Sequence, residues 1–159
     1  DYVSLDQWEF GDRVSFEIYA KFDSLGSSSF ATLFDFGSGP NDENISLRNT
    51  ESSKLKFSVN RAAEEKDVEA NVGLDANAWT HVFVTTQGTT MKIYKNGVQV
   101  GLRTTGWEPS AVSRTQHWLG KSPIDDLGHN EEGFFKGTIA FFKMWHMVSV
   151  FFEKLPQEF

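Results

Sequence analysis

Three carboxylates alternate along one short segment of the sequence, at Glu65, Asp67 and Glu69. If this segment is a β-strand, the three side chains point the same way, because residues i, i+2 and i+4 share one face of a strand. Paired carboxylates on either side of a glycosidic bond are the groups that glycoside hydrolases use. The segment is also the most charged part of the chain, so a solvated edge is the favoured interpretation and hydrolysis stays an alternative.

A second set of oxygen ligands lies in the loop sequence GSGPNDEN, which contains Asp42 and Asn44. Carboxylate, amide and carbonyl oxygens on a bendable backbone are what Ca²⁺ accepts. Asp and Asn are equally favoured in solvated turns, where their side chains bond to the local backbone. We predict Asp42 as a calcium ligand and Asn44 as a ligand-binding residue, with a plain turn as the alternative.

The sequence PIDDLGHNEEG forms a second acidic loop, with four carboxylates within eight residues. Such charges repel one another unless water or a cation neutralises them. Asp125 and Asp126 are therefore further candidates for calcium binding, and Asn130 and Glu131 for ligand binding. An exposed charged loop is the simpler explanation of the same pattern.

Tryptophan positions divide into two groups. Trp79, Trp118 and Trp145 fall within apolar strand patterns and are predicted to lie in the core. Trp107 lies in a Gly-Trp-Glu-Pro loop, where an exposed indole could stack on a sugar or anchor a protein contact. A loop tryptophan folded over the edge of the core is an equally good interpretation.

No other catalytic motif is present. The four histidines share no metal or catalytic spacing, and the sequence contains no HExxH, Gly-x-Ser-x-Gly or phosphate-binding glycine loop. Cysteine is absent, which excludes disulfides and thiol chemistry. The net charge of −7 disfavours nucleic acid and anionic membranes as partners, and no segment is long enough for membrane insertion.

The elements that position these residues are short strands. Residues 14–22 alternate apolar and polar, which predicts a half-buried strand. Residues 79–101 predict three strands, with Asn96-Gly97 as a type I′ hairpin turn. Residues 60–71 are predicted as a loop leading into a strand near 68–72. Some ten short strands with turns between them predict an all-β antiparallel two-sheet sandwich, in a single domain over residues 1–159.

The ordered blocks of the chain resemble the laminin-G-like jelly roll of the concanavalin A-like lectin/glucanase superfamily. The matching blocks are VSFEIYAKFDSLG, TLFDFGSG, NISL, KLKFSV, WTHVFVTTQGTTMKIYKNGVQVG, WLGKS and FFKGTIAFFKMWHMVSV. The resemblance covers nearly the whole chain and implies a jelly-roll fold. One departure is Ala140-Phe141, where family members often have an acidic residue.

The resemblance also implies a function. Such domains are recognition modules of extracellular proteins that bind glycans or protein partners, often with calcium, and in related domains the acidic residue at the position of Asp42 is a calcium ligand. Retaining glucanases of the superfamily align their carboxylates as Glu65, Asp67 and Glu69 would align, although Lys66 replaces an aliphatic residue. We expect a non-catalytic recognition or adhesion domain of a larger surface protein. A glycoside hydrolase or its accessory module, and a structural spacer, are the alternatives.

Overall fold

The computed structural model describes residues 2–23, 31–50, 52–62, 64–122 and 134–146. Within these ranges it contains thirteen β-strands and no helix. In chain order they are β1 (Val3–Leu5), β2 (Glu9–Phe10), β3 (Val14–Phe22), β4 (Ala31–Gly37), β5 (Ile45–Asn49), β6 (Leu55–Arg61), β7 (Glu64–Glu69), β8 (Trp79–Gln87), β9 (Thr90–Lys95), β10 (Val98–Arg103), β11 (Val112–Ser113), β12 (Gln116–Leu119) and β13 (Gly137–Trp145).

The strands form a two-sheet sandwich, as the sequence predicts. One sheet has six strands in the order β1-β12-β4-β5-β6-β7, and the other has five in the order β10-β9-β8-β3-β13. Every strand pairing is antiparallel, and β2 and β11 form a separate short ribbon. This arrangement confirms the predicted all-β jelly-roll sandwich.

Alternation along β3 sets the inner face of the five-stranded sheet. Val14, Phe16, Ile18, Ala20 and Phe22 are all buried, which confirms the predicted face. The core between the sheets is built on phenylalanine rings, whose centroids lie 4.8–6.4 Å apart around Phe16. Each buried ring contributes about 1.5–3 kcal/mol through the loss of apolar surface to water.

The predicted hairpin at Asn96-Gly97 is confirmed. Both residues have positive φ, 50° and 80°, as a type I′ turn requires. The turn joins β9 to β10 directly, and Met91 and Ile93 of β9 point into the core.

The prediction for residues 60–71 is wrong. The segment is a hairpin, in which Arg61 at the end of β6 lies opposite Glu64 at the start of β7. Ala62 in the turn has a φ of 47°, which is the left-handed conformation that glycine adopts more readily than alanine. Tertiary pairing with β6 overrides the helical and loop propensities of the charged segment.

The predicted core positions of three tryptophans are also wrong. Trp79 is 43% exposed, and Trp118 and Trp145 are only partly buried, outside the core cluster. Trp79 stacks on Tyr19 at a centroid distance of 5.0 Å, on the outward face of the five-stranded sheet. In these strands both faces carry aromatic residues, so residue type alone does not separate inside from outside.

Candidate polar binding face

The outward face of the six-stranded sheet carries a row of polar side chains in register across four strands. Asp35, Ser46, Ser58 and Asp67 are direct cross-strand neighbours on β4, β5, β6 and β7. Trp118 of β12 lies opposite Asp35 and extends the row at one end. We call this row the polar face. Asp35, Ser46 and Ser58 of this row are buried, whereas Asp67 and Trp118 are partly exposed.

The β4 end of the polar face contains a buried hydrogen-bond network centred on Asp35. Its carboxylate accepts a 2.8 Å bond from Asn44 Nδ2 and a 2.7 Å bond from Ser122 Oγ. Gly37 makes room for Asn44, because a Cβ at Gly37 would lie 2.4 Å from Asn44 Nδ2. Asn44 therefore belongs to the polar face, as a residue that holds Asp35 in place.

Two acceptor oxygens near Gly37 have no hydrogen-bond donor among the described residues. They are Oδ1 of Asn44 and Oε1 of Gln116, which lies opposite Gly37 on β12. Buried acceptors without a donor are costly, by about 1–3 kcal/mol each, so they mark a place for a water molecule or a ligand hydroxyl.

An aromatic pair borders the β12 end of the polar face. The rings of Tyr2 and Trp118 lie 6.1 Å apart, and Tyr2 is 50% exposed. Lys121 Nζ lies 4.3 Å from the Trp118 ring and 4.9 Å from the Tyr2 ring, in cation–π contact with both. An apolar ring surface thus adjoins charged and hydrogen-bonding groups.

The three alternating carboxylates lie at the other end, on the outward face of β7, where each is paired with a cation. Lys56 Nζ is 2.5 Å from Glu65 Oε1, Lys54 Nζ is 2.8 Å from Glu69 Oε1, and Arg103 Nη1 is 3.6 Å from Asp67 Oδ1. The predicted alignment on one strand face is confirmed.

Glu65 is held in its charged form. Partial burial would raise the pKa of Glu65, but the hydrogen bond and charge of Lys56, the charge of Arg48 and the hydrogen bond from Ser58 together lower it below its usual value. A general acid of a glycosidase needs a raised pKa. The ion-paired geometry is therefore that of a structural charge ladder along the sheet edge.

Asp42 lies in the turn between β4 and β5. Its backbone accepts a 2.9 Å bond from Ser38 N, which closes a tight turn, and its side chain is exposed. The backbone of Glu43, the next residue, is held in place by a 2.7 Å hydrogen bond that Arg114 Nε donates to its carbonyl oxygen. The loop is thus a well-anchored turn whose Asp42 carboxylate faces solvent.

Trp107 adopts the second of the two predicted arrangements and folds over the edge of the core. Its Nε1 donates a 2.9 Å hydrogen bond to the carbonyl oxygen of Val59. Arg61 and Lys66 lie against the ring, 5.7 and 5.3 Å from its centroid. Ligand contact by Trp107 stays a prediction.

The second acidic loop, with Asp125, Asp126, Asn130 and Glu131, lies outside the described residues. Within the described ranges, no three His, Asp or Glu side chains are grouped as a metal site would need. A calcium ion at Asp42 would therefore need ligands from backbone carbonyls or from the acidic loop.

The described residues contain no helix with the length and hydropathy of a membrane span.

A concavity with a volume of about 210 Å³ lies between the edge strands β1 and β13. Its lining carries no charged side chain and consists of Tyr2, Val3, Leu119, Gly120, Phe135, Gly137 and Ile139. It offers few groups that could orient a polar ligand, so the polar face is the stronger candidate site.

Sequence reasoning missed Asp35, Gln116 and the outward position of Trp118. Asp35 has a local signal, since it is the single charged residue between Phe34 and Phe36, and so points away from the core. Gln116 and Trp118 have no such signal, because the pairing of β12 with β4 is what brings them to Asp35.

The sequence of residues 1–148 matches the laminin G-type family model described as the concanavalin A-like lectin/glucanases superfamily. The chain belongs to this superfamily. No curated protein matches this superfamily member at a significant level of sequence similarity.

Solved structures with the same fold come from animals and bacteria. Domains LG4-5 of the mouse laminin alpha1 chain superpose with a TM-score of 0.66 at 15% identity, over 90% of this chain and 38% of that one. The CBM40 of the Ruminococcus gnavus IT-sialidase, bound to alpha2,3 sialyllactose, gives 0.66 at 11% identity, over 92% and 89%. Domain 4 of AbnA, a GH43 extracellular arabinanase from Geobacillus stearothermophilus in complex with arabinotriose, gives 0.65 at 17% identity, over 90% and 65%.

These likenesses show the concanavalin A-like fold of the chain. The chain spans 38% of the laminin fragment and 65% of the arabinanase domain chain, and nearly the whole of the sialidase module. The superfamily includes both lectins and glucanases, so the fold does not distinguish sugar binding from sugar hydrolysis. The residues of the site must be used for that distinction.

Proposed function

We propose that the chain is a non-catalytic recognition module that binds glycans on the polar face, within an extracellular or cell-surface protein. One observation supports this most directly: the sheet places the Tyr2–Trp118 aromatic pair in line with Asp35, Ser46, Ser58 and Asp67. The bound sugars of the two bacterial modules with this fold support the same ligand class.

The chemistry of a sugar ring fits this surface. A pyranose has an apolar face of C–H groups, which packs on an aromatic ring, and a rim of hydroxyl groups that both donate and accept hydrogen bonds. The partly exposed Asp67 can accept such bonds, and the oxygens of Asn44 and Gln116 have no donor among the described residues. An aromatic surface with a few polar groups is the usual composition of a small-molecule site.

The charges on β7 support the proposed lack of turnover. Glu65, Asp67 and Glu69 are each neutralised by a basic side chain, and the lowered pKa of Glu65 keeps that residue ionised. We expect no hydrolysis of β-glucans by the protein, and no difference in this respect between the protein and its Glu65→Gln variant. Hydrolysis that is lost in Glu65→Gln would favour the glucanase alternative.

A protein ligand is a second candidate, favoured by the other sheet. Trp79, Tyr19 and Phe141 form a continuous aromatic stripe on its outward face, with ring centroids 5.0 and 5.8 Å apart. A stripe of this kind is typical of a surface that anchors protein contacts. Loss of a protein partner through Trp79→Ala, without any glycan binding, would favour this candidate.

Calcium assistance remains part of the proposal, at the rim near Asp42 with ligands from Asp125 and Asp126. Calcium that binds only the folded chain must raise its melting temperature. We therefore expect a rise on titration with CaCl₂, which EDTA reverses and Asp42→Asn reduces. An identical melting temperature with calcium and with EDTA would remove the metal from the proposal.

A glycan array followed by calorimetry tests the main proposal. We expect Trp118→Ala to weaken glycan binding by about tenfold or more, since loss of a buried aromatic contact costs about 1.4 kcal/mol or more. Trp79→Ala is the matched control, because it removes a partly exposed indole from the opposite sheet. No glycan binding, or equal binding by both variants, would leave the spacer or protein-binding alternatives.

A further inference from the structure

The sandwich has two open sides, and they differ in how the described residues fill them. On one side the edge strands are β7 and β10, and Arg103 of β10 bridges them through a 2.8 Å hydrogen bond from Nη1 to the carbonyl oxygen of Asp67. On the other side the edge strands are β1 and β13, and the concavity of about 210 Å³ lies between them. We call this second side the β13 edge.

Strand β13 has free backbone groups along this edge. It pairs with β3 on one side, and no described strand pairs with its other side. Asp23 N donates a 2.9 Å bond to the carbonyl oxygen of Lys136, so the backbone of Lys136 faces β3. Because this direction alternates along a strand, the N–H and C=O groups of Gly137 and Ile139 face away from β3. Such groups are a template for another extended chain.

The concavity beside these groups fits single apolar side chains. Its volume of about 210 Å³ is below the roughly 300–1,000 Å³ of small-molecule sites, and no charged side chain lines it. Gly137 and Ile139 line it from β13, and Val3 and Leu119 line it from the other sheet. Paired residues of neighbouring strands share a face, and Ile139 packs towards the core. A residue that pairs with Ile139 therefore directs its side chain into the concavity.

The charge of β13 favours an acidic partner over a second copy of this chain. The strand contains no carboxylate, and it carries Lys143 and directly follows Lys136. Lys136 is exposed, and Lys143 is 55% exposed although its Nζ lies 3.8 Å from Glu17 Oε2. A second copy would bring the same two lysines to the edge and a further net charge of −7. Acidic residues in an extended partner would complement the lysines instead.

We propose that the β13 edge binds an extended segment of a partner protein, which adds to the five-stranded sheet as a sixth strand. Aliphatic residues of the segment enter the concavity, and acidic residues that alternate with them lie beside Lys136 and Lys143. Backbone hydrogen bonds supply the affinity of such strand addition, and the concavity supplies the specificity. The site does not depend on the proposed glycan binding, although Tyr2 borders both surfaces.

Calorimetry with the capped peptide EVEIEVE tests the proposal. We expect this peptide to bind the chain about tenfold or more tightly than KVKIKVK, which has the same aliphatic residues and the opposite charge. Lys136→Glu should reduce that preference. Two N-methylated forms of EVEIEVE test strand addition itself. Methyl groups on the Val and Ile amides face Gly137 and Ile139 and should abolish binding, whereas methyl groups on the Glu amides face solvent and should not.

A matched pair of variants tests the concavity. Val3→Asp places a charge in it and should weaken binding of EVEIEVE by about tenfold or more. Because Val3 is 52% exposed, we expect this variant to fold, which circular dichroism checks. Val98→Asp is the control and should retain binding, because Val98 is a 63% exposed valine on β10, the other edge strand of the same sheet.

Several results would overturn the inference. They are no binding of EVEIEVE, equal binding of the acidic and basic peptides, equal binding of the two N-methylated forms, and equal effects of Val3→Asp and Val98→Asp. Sedimentation of the chain alone provides a further check. A dimer that Val3→Asp disrupts would assign the β13 edge to a second copy and would overturn the proposed acidic partner.

Discussion

Asn44 Nδ2 donates a 2.8 Å hydrogen bond to Asp35 Oδ1, which joins β4 to the loop residue directly before β5. The bond fixes the orientation of the Asp35 carboxylate on the outward face of the sheet. It also leaves Asn44 Oδ1 without a donor in the part of the chain that the structure describes. The geometry of the candidate site thus depends on an amide that has room only because residue 37 is glycine.

Gly37→Ala tests this dependence. Its Cβ would lie 2.4 Å from Asn44 Nδ2, so Asn44 must move and its bond to Asp35 is lost. We expect a loss of about 1–3 kcal/mol in the free energy of unfolding, as for other overpacked sites, together with weaker glycan binding. Urea unfolding measures the first effect and calorimetry the second.

The control is a double-mutant cycle with Asn44→Ala. Removing the amide removes the steric conflict, so Gly37→Ala should cost less stability in that background than in the native one. Additive costs would mean that the two residues are not coupled.

Arg114 should be essential for the stability of the rim. It is fully buried and donates to the carbonyl oxygens of Glu43, Phe10 and Ser110. Burial lowers its pKa to about 10, while the charge of Glu43 opposes this, so it stays protonated at neutral pH.

Arg114→Lys keeps the charge but cannot reach all three carbonyls. We expect a loss of about 3 kcal/mol or more in urea unfolding, because buried acceptors and a buried charge are left unpaired. The control is Arg13→Lys, whose side chain is 63% exposed and whose only described ion pair, with Glu108, is 3.7 Å long. A change as small as that of the control would show that Arg114 is dispensable.

His117 should make stability depend on pH. Burial lowers its pKa below the usual value, the hydrogen bond to the Asp6 carbonyl opposes this, and the charge of Arg114 adds to it. The unfolded chain therefore takes up a proton near pH 6.5 that the folded chain does not. Stability from this residue is complete above that pH and falls as the pH drops towards the lowered folded pKa.

The measurement is urea unfolding between about pH 7.5 and pH 5. His117→Gln, which keeps an N–H donor but does not titrate, should flatten the dependence. His146→Gln, at an exposed position, should leave it unchanged. A dependence that persists in His117→Gln would assign it to other groups.

Glu65→Gln should remove a modest, pH-dependent contribution. The folded pKa is lowered, so the stabilisation is present above about pH 4.3 and is lost as the pH falls through the folded pKa. We expect a loss of up to about 1 kcal/mol at pH 7, because the pair is partly exposed, and no difference from the native chain at low pH. Urea unfolding at both pH values checks this, with Glu64→Gln as the neighbouring control.

Local patterns in the sequence were sufficient for much of the fold. Phe16 and Ile18 alternate with polar residues, and Asn96-Gly97 dictates its own turn, so β3 and the β9–β10 hairpin follow from nearby residues alone. β7 was placed too late along the chain, because the charged segment has no apolar face until Val68 and becomes a strand by pairing with β6.

The candidate site was harder to predict than the fold. Asp35 and Trp118 are 83 residues apart, and they become neighbours only through the register of β4 with β12. Register follows from the packing of both strands on a shared core, which no short pattern encodes. The predicted residue Asn44 was found in the right region, but its role towards Asp35 depends on Gly37, which the sequence marks only as a turn glycine.

The scattered placement of the indoles gives this protein built-in optical markers. Trp118 lies on one sheet and Trp79 on the outward face of the other, while Trp107 lies at the β6–β7 hairpin. Trp8 packs beside the core, where its ring centroid is 3.9 Å from that of His117. Single tryptophan-to-phenylalanine replacements would therefore reveal by fluorescence quenching which side a bound molecule covers, without any attached label.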